Sequence, residues 1–236
     1  MKIIILQHIA CETPGYIKDL MIKDGLDLTT IELDEGETIP DDIKQFDGMF
    51  CMGGPMDTWM EKDYPWLVEE KKKIKEFVVE LEKPFLGFCL GCQLLGEVVG
   101  GQVVKSSPPE IGILDIQMGE EKKEDHLFSR FPNSIKALQW HSYEVHDLPS
   151  NTNLLASSPE CKVQAFSSDN AFGLQFHVEQ TSETVPQWAC VPEYKSALEK
   201  TLGPNALEKF KKDVQGNLTL FNNSARTIYD NFKKII

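Results

Sequence analysis

A chain of 236 residues, 41% of them hydrophobic, is long enough to bury one sizeable core, or one core with a helical appendage. The formal net charge of -13 argues against a phosphate-backbone binder, so no nucleic-acid partner is expected. The opening MKIIILQHIA lacks the long apolar segment and cleavage site of a secretion signal, and no run approaches the ~18 apolar residues of a membrane span. The expectation is a cytoplasmic protein with no membrane partner and with reduced thiols. Its cysteines, at 11, 51, 89, 92, 161 and 190, follow no disulfide framework.

In chain order, residues 2–7 (KIIILQ) read as a short buried strand, and 27–33 alternate more weakly. Residues 47–52 form a third apolar run that stops at Gly53-Gly54-Pro55. Across 66–82, Ile74, Phe77, Val78 and Leu81 recur at helical spacing, which predicts a helix with one buried stripe. Phe85-Leu86-Gly87-Phe88 is another buried strand, and residues 90–99 return to helix. Strands alternating with helices through short turns predict a parallel sheet covered on both faces. The middle differs: short β-like runs at 111–118, 135–139, 142–146, 153–156, 162–167 and 171–176 predict added hairpins and a mixed sheet. From about residue 183 the chain reads as helical. Leu207, Phe210 and Val214 share one helix face, with Gly216 as its C-terminal stop. Leu218, Phe221, Ala225, Ile228 and Phe232 line a second helix. The expected organisation is one domain, with a catalytic core over 1–182 and a covering helical extension over 183–236.

The chemistry-bearing residues centre on Gly87-Phe88-Cys89-Leu90-Gly91-Cys92-Gln93. A buried strand runs into Cys89 and a helix starts after it. Glycines on both sides permit the sharp turn that lifts a nucleophile above a sheet. A thiol at a helix N-terminus has its anion favoured by the helix dipole and free N–H groups. On these residues alone Cys89 also fits a small core residue, and Cys89 with Cys92 spells a redox dithiol. No second Cys or His pair follows at zinc spacing, so no metal is expected.

A cysteine nucleophile needs a base and a group to orient that base. Gly173-Leu174-Gln175-Phe176-His177-Val178-Glu179 offers both, because alternate residues of a strand share a face. Leu174, Phe176 and Val178 enter the core, while Gln175, His177 and Glu179 emerge on the other side. Glu179 can then fix the His177 tautomer. An isolated His-x-Glu is also an ordinary surface pair. Gly53-Gly54 can expose backbone N–H groups, which makes Gly54 a candidate oxyanion donor beside Leu90, or merely part of a turn.

Together the Gly-Gly-Pro turn at 53–55, the Gly-x-Cys-x-Gly-x-Gln block at 87–93 and His-x-Glu at 177–179 resemble the class I (triad) glutamine amidotransferase family. Order and spacing match over roughly residues 1–180. The resemblance implies an α/β fold: a flavodoxin-like three-layer sandwich with a mostly parallel central sheet, added β-hairpins and C-terminal covering helices. It implies Cys89 as nucleophile, His177 as acid/base and Glu179 as its orienter; Gly54 and Leu90 stay the oxyanion candidates of the local reading, and no cofactor is expected. By the same resemblance Gln93 contacts bound glutamine, and Trp140-His141-Ser142-Tyr143 looks like the loop that holds its α-carboxylate, through Ser142 and Tyr143. Gln7-His8, Glu12-Thr13-Pro14-Gly15 and Tyr64-Pro65-Trp66-Leu67 look like stand-alone, GMP synthase-like members. No SGG-x-DS-type nucleotide loop occurs, so ATP-dependent synthesis would need a synthase partner subunit. Three readings follow: a glutamine amidotransferase that passes ammonia to such a partner, a γ-glutamyl peptidase that takes glutathione-like substrates, or a non-catalytic regulatory protein of the same fold.

Overall fold

The computed structural model describes residues 1–123 and 125–236. Its first half alternates as the sequence predicts. Strands β1 (Lys2–Gln7), β2 (Asp27–Glu32), β3 (Gly48–Cys51) and β4 (Phe85–Phe88) are joined by helices α1 (Gly15–Lys23), α2 (Trp66–Lys75) and α3 (Leu90–Val98). The second half carries strands β5 (Gln102–Met118), β6 (Ser134–His146), β7 (Asn153–Ser157), β8 (Ala165–Ser168) and β9 (Ala171–Leu174), then helices α4 (Thr184–Trp188), α5 (Pro192–Leu202) and α6 (Ala206–Phe232).

The strands form one sheet in the order β2-β1-β3-β4-β9-β8-β7-β5-β6. From β2 to β9 neighbours are parallel, and from β9 to β6 they are antiparallel. Among the described residues the two kinds of pairing are equally numerous, because the long β5–β6 ribbon extends the sheet. Its length also corrects the sequence reading: 135–139 and 142–146 are two halves of one strand. The four residues Trp140 to Tyr143 therefore lie within β6, not in a loop. They face a register shift in β5 between Lys105 and Glu110.

Strand periodicity sorts the core into two layers. Ile3 and Ile5 of β1 join Ile17, Leu20 and Met21 of α1 and the apolar stripe of α6 on one face. Ile4 and Leu6 join Leu67 and Ile74 of α2 and Leu94 and Leu95 of α3 on the other. This is the helix–sheet–helix layering expected of the fold class.

Two helix boundaries differ from expectation. The α2 helix ends at Lys75 and passes into a π-helical turn over 76–80 instead of running on to 82. More telling, the predicted break at Gly216 is absent, and α6 is one helix of 27 residues. Val214 to Leu218 is a four-residue step, so the two apolar stripes join into one. Phe210, Val214, Phe221, Ile228 and Phe232 are buried along it. Each such burial contributes roughly 1.5–3 kcal/mol, whereas a glycine inside a helix costs about 1 kcal/mol. Packing outweighs propensity.

Candidate active site

The site begins at the turn between β4 and α3. Cys89 occupies φ 49° and ψ -101°, a left-handed backbone that a residue with a Cβ adopts only under constraint. The flanking glycines show why the chain can make this turn. A Cβ on Gly87 would lie 2.4 Å from the Gly91 carbonyl oxygen, and one on Gly91 would lie 2.1 Å from the Cys51 carbonyl oxygen. The Gly91 N–H donates to Met52 O at 3.1 Å, so the elbow is pinned to the end of β3. Cys89 is 8% exposed and lines a cavity of about 180 Å³. Cys92 points away into the α2/α3 layer, and burial pushes its thiol well above the usual cysteine value.

His177 and Glu179 lie just beyond β9, which ends at Leu174. His177 instead forms an isolated bridge with Leu138 of β6, each N–H donating to the other's carbonyl at 2.9 to 3.0 Å. The predicted alternation outlasts the strand: Leu174, Phe176 and Val178 all enter the core. The His177 Nδ1 sits 2.6 Å from Glu179 Oε1, while Glu179 Oε2 accepts from the Val178 N–H at 2.9 Å. Burial works against the His177 cation, but the Glu179 carboxylate and the nearby Cys89 sulfur outweigh it and hold its pKa well above that of an ordinary imidazole. A thiol beside an imidazole, the ring oriented by a carboxylate, can exchange a proton with it in acid and base roles.

Gly54 and Cys89 border the same cavity. A Cβ on Gly54 would come within 3.0 Å of the Leu90 side chain, so the two candidate oxyanion residues are neighbours. Leu90 opens α3, where an N–H has no intrahelical acceptor. Among the described residues neither N–H has a backbone acceptor. Gln93, Ser142 and Tyr143 all line the cavity as well. The Gln93 Nε2 donates to the Tyr143 carbonyl at 3.0 Å and to Gln175 Oε1 at 3.3 Å, and Gln175 Nε2 in turn faces Cys89 Sγ at 3.6 Å. His141 Nδ1 also meets the Tyr143 carbonyl at 3.0 Å, and its Nε2 meets Glu110 at 3.1 Å. Glu110 is held below the usual glutamate value despite its burial, because His141, Ser158 and Gln164 hydrogen-bond to it.

Several neighbours were not legible as site residues. Trp188 of α4 packs edge-on against the His177 ring, with centroids 4.8 Å apart. The Tyr194 hydroxyl of α5 donates to Glu12 Oε1 at 2.5 Å, and Tyr194 lines the cavity beside Glu193. Burial raises the Glu12 carboxyl above the usual glutamate value, although His177 and the Tyr194 hydroxyl pull it back. At Gly15, where φ is +47°, a Cβ would lie 2.1 Å from the Glu179 carbonyl oxygen, and the next N–H, from Tyr16, donates to that oxygen at 2.8 Å. The Pro14-Gly15 signal thus marks a turn that abuts Glu179. Among the described residues two buried groups could offer ligands to a metal ion, His8 with Cys51 and Glu70, and Glu110 with His141 and Cys161; within each group the ligand atoms lie within 4.8 Å of one another. In the first group those atoms are already hydrogen-bonded among themselves, and in the second His141 is bonded to Glu110.

Known proteins agree with this architecture. A family profile described as "Glutamine amidotransferase class-I" matches residues 16–187. A glutamine-hydrolyzing GMP synthase subunit from Sulfolobus acidocaldarius is 36% identical over 171 residues, covering 70% of this chain and 85% of that protein. The crystal structure of a glutamine amidotransferase from Thermotoga maritima superposes with a TM-score of 0.87 at 25% identity, over 98% of this chain and 97% of that one. A glutamine amidotransferase structure from Methylobacillus flagellatus, at 24% identity and a TM-score of 0.83, has the same fold over 100% of this chain and 95% of that one. With the profile spanning well over half its length, this chain belongs to the class I glutamine amidotransferases, cysteine enzymes that hydrolyse glutamine.

Proposed function

We propose that this chain hydrolyses the side-chain amide of glutamine through a thioester on Cys89. The Cys89 sulfur attacks the amide carbon as its proton moves to His177. Negative charge gathers on the former carbonyl oxygen, where the N–H groups of Gly54 and Leu90 receive it. The C–N bond breaks, His177 returns the proton to the departing nitrogen, and ammonia leaves. Water then attacks the thioester with His177 taking its proton, and glutamate and the free thiol are regenerated. Glu179 keeps the imidazole in the tautomer and orientation both halves require. Gln93, Ser142 and Tyr143 border the space for the glutamyl group. What carries this reading is Cys89 at its strained elbow, with a buried His177–Glu179 pair near enough for the sulfur to raise the His177 pKa.

The relatives named as glutamine-hydrolyzing subunits of GMP synthase favour an amidotransferase role in which ammonia passes to a synthase partner. A cavity of about 180 Å³ suits a γ-glutamyl group better than a whole tripeptide. The second reading, a γ-glutamyl peptidase, draws on exposed apolar surface beside the cavity, where the ring of the half-exposed Trp59 stands 4.8 Å from that of the cavity-lining Tyr143. A panel of glutamine, γ-glutamyl dipeptides and glutathione, run with wild type and Cys89→Ala, separates them. Ammonia from glutamine as the dominant product is the expected outcome. Preferential release of amino acids from γ-glutamyl peptides would favour the peptidase, and no turnover of any of them would sink both.

A further inference from the structure

The Gly53–Gly54 peptide, close to Cys89, joins two residues that do little to hold its orientation. Neither residue has a Cβ, so rotating the peptide plane between them costs little. The Gly53 carbonyl and the Gly54 N–H belong to one trans peptide and point in opposite directions. Rotation would aim a carbonyl oxygen at the cavity and carry the N–H away from it. An oxyanion donor at Gly54 therefore needs something behind it to hold the carbonyl.

His8 stands in that place. It follows β1 and is fully buried, with Nδ1 2.8 Å from Gly53 O. A carbonyl oxygen only accepts, so this bond requires the proton on Nδ1. The other ring nitrogen, Nε2, lies 2.8 Å from Glu70 Oε1, and Glu70 also accepts from the Cys51 thiol at 3.4 Å. Trp66 stacks on the ring with centroids 5.5 Å apart and planes 23° from parallel. Neither His8 nor Glu70 lines the cavity, so neither touches the reacting atoms.

We propose that His8, fixed by Glu70, is a positioning residue that holds the Gly53 carbonyl away from the cavity and so keeps the Gly54 N–H turned into it as an oxyanion donor. The inference rests on the reading of the site given under Proposed function. It explains why a buried imidazole–carboxylate pair, expensive to desolvate, sits behind a glycine turn.

The test compares two reactions of the same thiol in wild type, His8→Leu, His8→Asn and Glu70→Gln. Hydrolysis of glutamine passes through an oxyanion. Alkylation of Cys89 by iodoacetamide displaces iodide and forms none, so it reports the thiol–imidazole pair and the fold alone. His8→Leu is expected to lose about 10²-fold in kcat, the effect of removing one oxyanion donor, with KM and the alkylation rate near wild type. In His8→Asn an amide N–H near the Nδ1 position should recover much of that loss. In Glu70→Gln the new amide N–H can turn to Nε2 and so preserve the Nδ1 proton, and its loss of kcat should be smaller than that of His8→Leu; a loss as large as that of His8→Leu would count against Glu70 acting through the ring's tautomer. Parallel loss of hydrolysis and alkylation in His8→Leu would overturn the proposal in favour of a general structural role. Wild-type kcat in His8→Leu, or no recovery in His8→Asn, would also overturn it. A wild-type protein that alkylates at Cys89 yet hydrolyses no γ-glutamyl amide would remove the reading of the site, and this proposal with it.

Discussion

At the scale of single residues, the site joins three groups whose roles can be separated by substitution. Cys89→Ala removes the only group proposed to form a covalent bond, and no thioester should be detectable by mass spectrometry of the quenched reaction. Glu179→Gln leaves nucleophile and base in place but loses control of the tautomer. A fall in kcat of roughly 10⁴-fold with a measurable residual rate is expected. Equal losses from the two variants in steady-state kinetics would contradict separate roles. Glu12 makes a different prediction. Among the described residues its Oε2 is buried with no hydrogen-bond partner, and its folded pKa is raised. A carboxylate raised on folding contributes stability below its unfolded pKa and loses it as pH rises through the folded value. Glu12→Gln should therefore raise Tm more at pH 8 than at pH 4.5, with about 2–4 °C per kcal/mol relieved. Melting curves that shift equally at both pH values would contradict it. The placement of Cys89, His177 and Glu179 was legible because each depends on local geometry, an elbow between glycines and a two-residue alternation. Glu12 and Tyr194 were not legible as a pair, since they meet from positions 182 apart in sequence.

At the scale of elements, glycine separates two kinds of constraint. Gly91 lies in the elbow, where an added Cβ meets backbone at 2.1 Å, and Gly216 lies in α6, where it meets nothing within 4 Å. Gly91→Ala should displace the turn and destabilise the chain, whereas Gly216→Ala should stabilise it by about 0.5–1 kcal/mol through helix propensity. Urea denaturation midpoints measure both, and a destabilised Gly216→Ala would argue that this glycine has a packing partner. The same contrast explains what sequence patterning could and could not reveal. Gly216 reads as a stop because glycine often follows helix ends, yet the apolar spacing across it was the stronger signal. The β5–β6 ribbon was divided for a related reason. His141 and Ser142 interrupt the apolar alternation of β6, but the strand continues through them opposite the irregular stretch of β5, with His141 still paired to Glu110, and both residues line the cavity.

At the scale of the whole molecule, the helices after residue 183 do more than cover the sheet. Trp188 touches His177, Glu193 and Tyr194 line the cavity, and α6 buries its aromatic stripe against the β1/α1 layer. Residues of the expected helical extension thus line the same cavity as Cys89 of the expected core over 1–182. We predict that a chain ended after residue 182 exposes the sheet face beneath α6 and loses cooperative unfolding, read as a broad thermal transition with dye-binding apolar surface. A sharp transition with retained hydrolysis would show that the shorter piece is self-sufficient. No helix among the described residues is long and apolar enough to cross a membrane. The most direct test of the central claim, a Cys89 thiol made nucleophilic by His177, uses 6-diazo-5-oxonorleucine, an electrophile shaped like glutamine, followed by peptide mass mapping. The adduct should fall on Cys89 alone, be slowed by excess glutamine, and drop sharply in His177→Ala. Labelling confined to the more accessible Cys11 or Cys190, or a rate at Cys89 indifferent to loss of His177, would contradict the account.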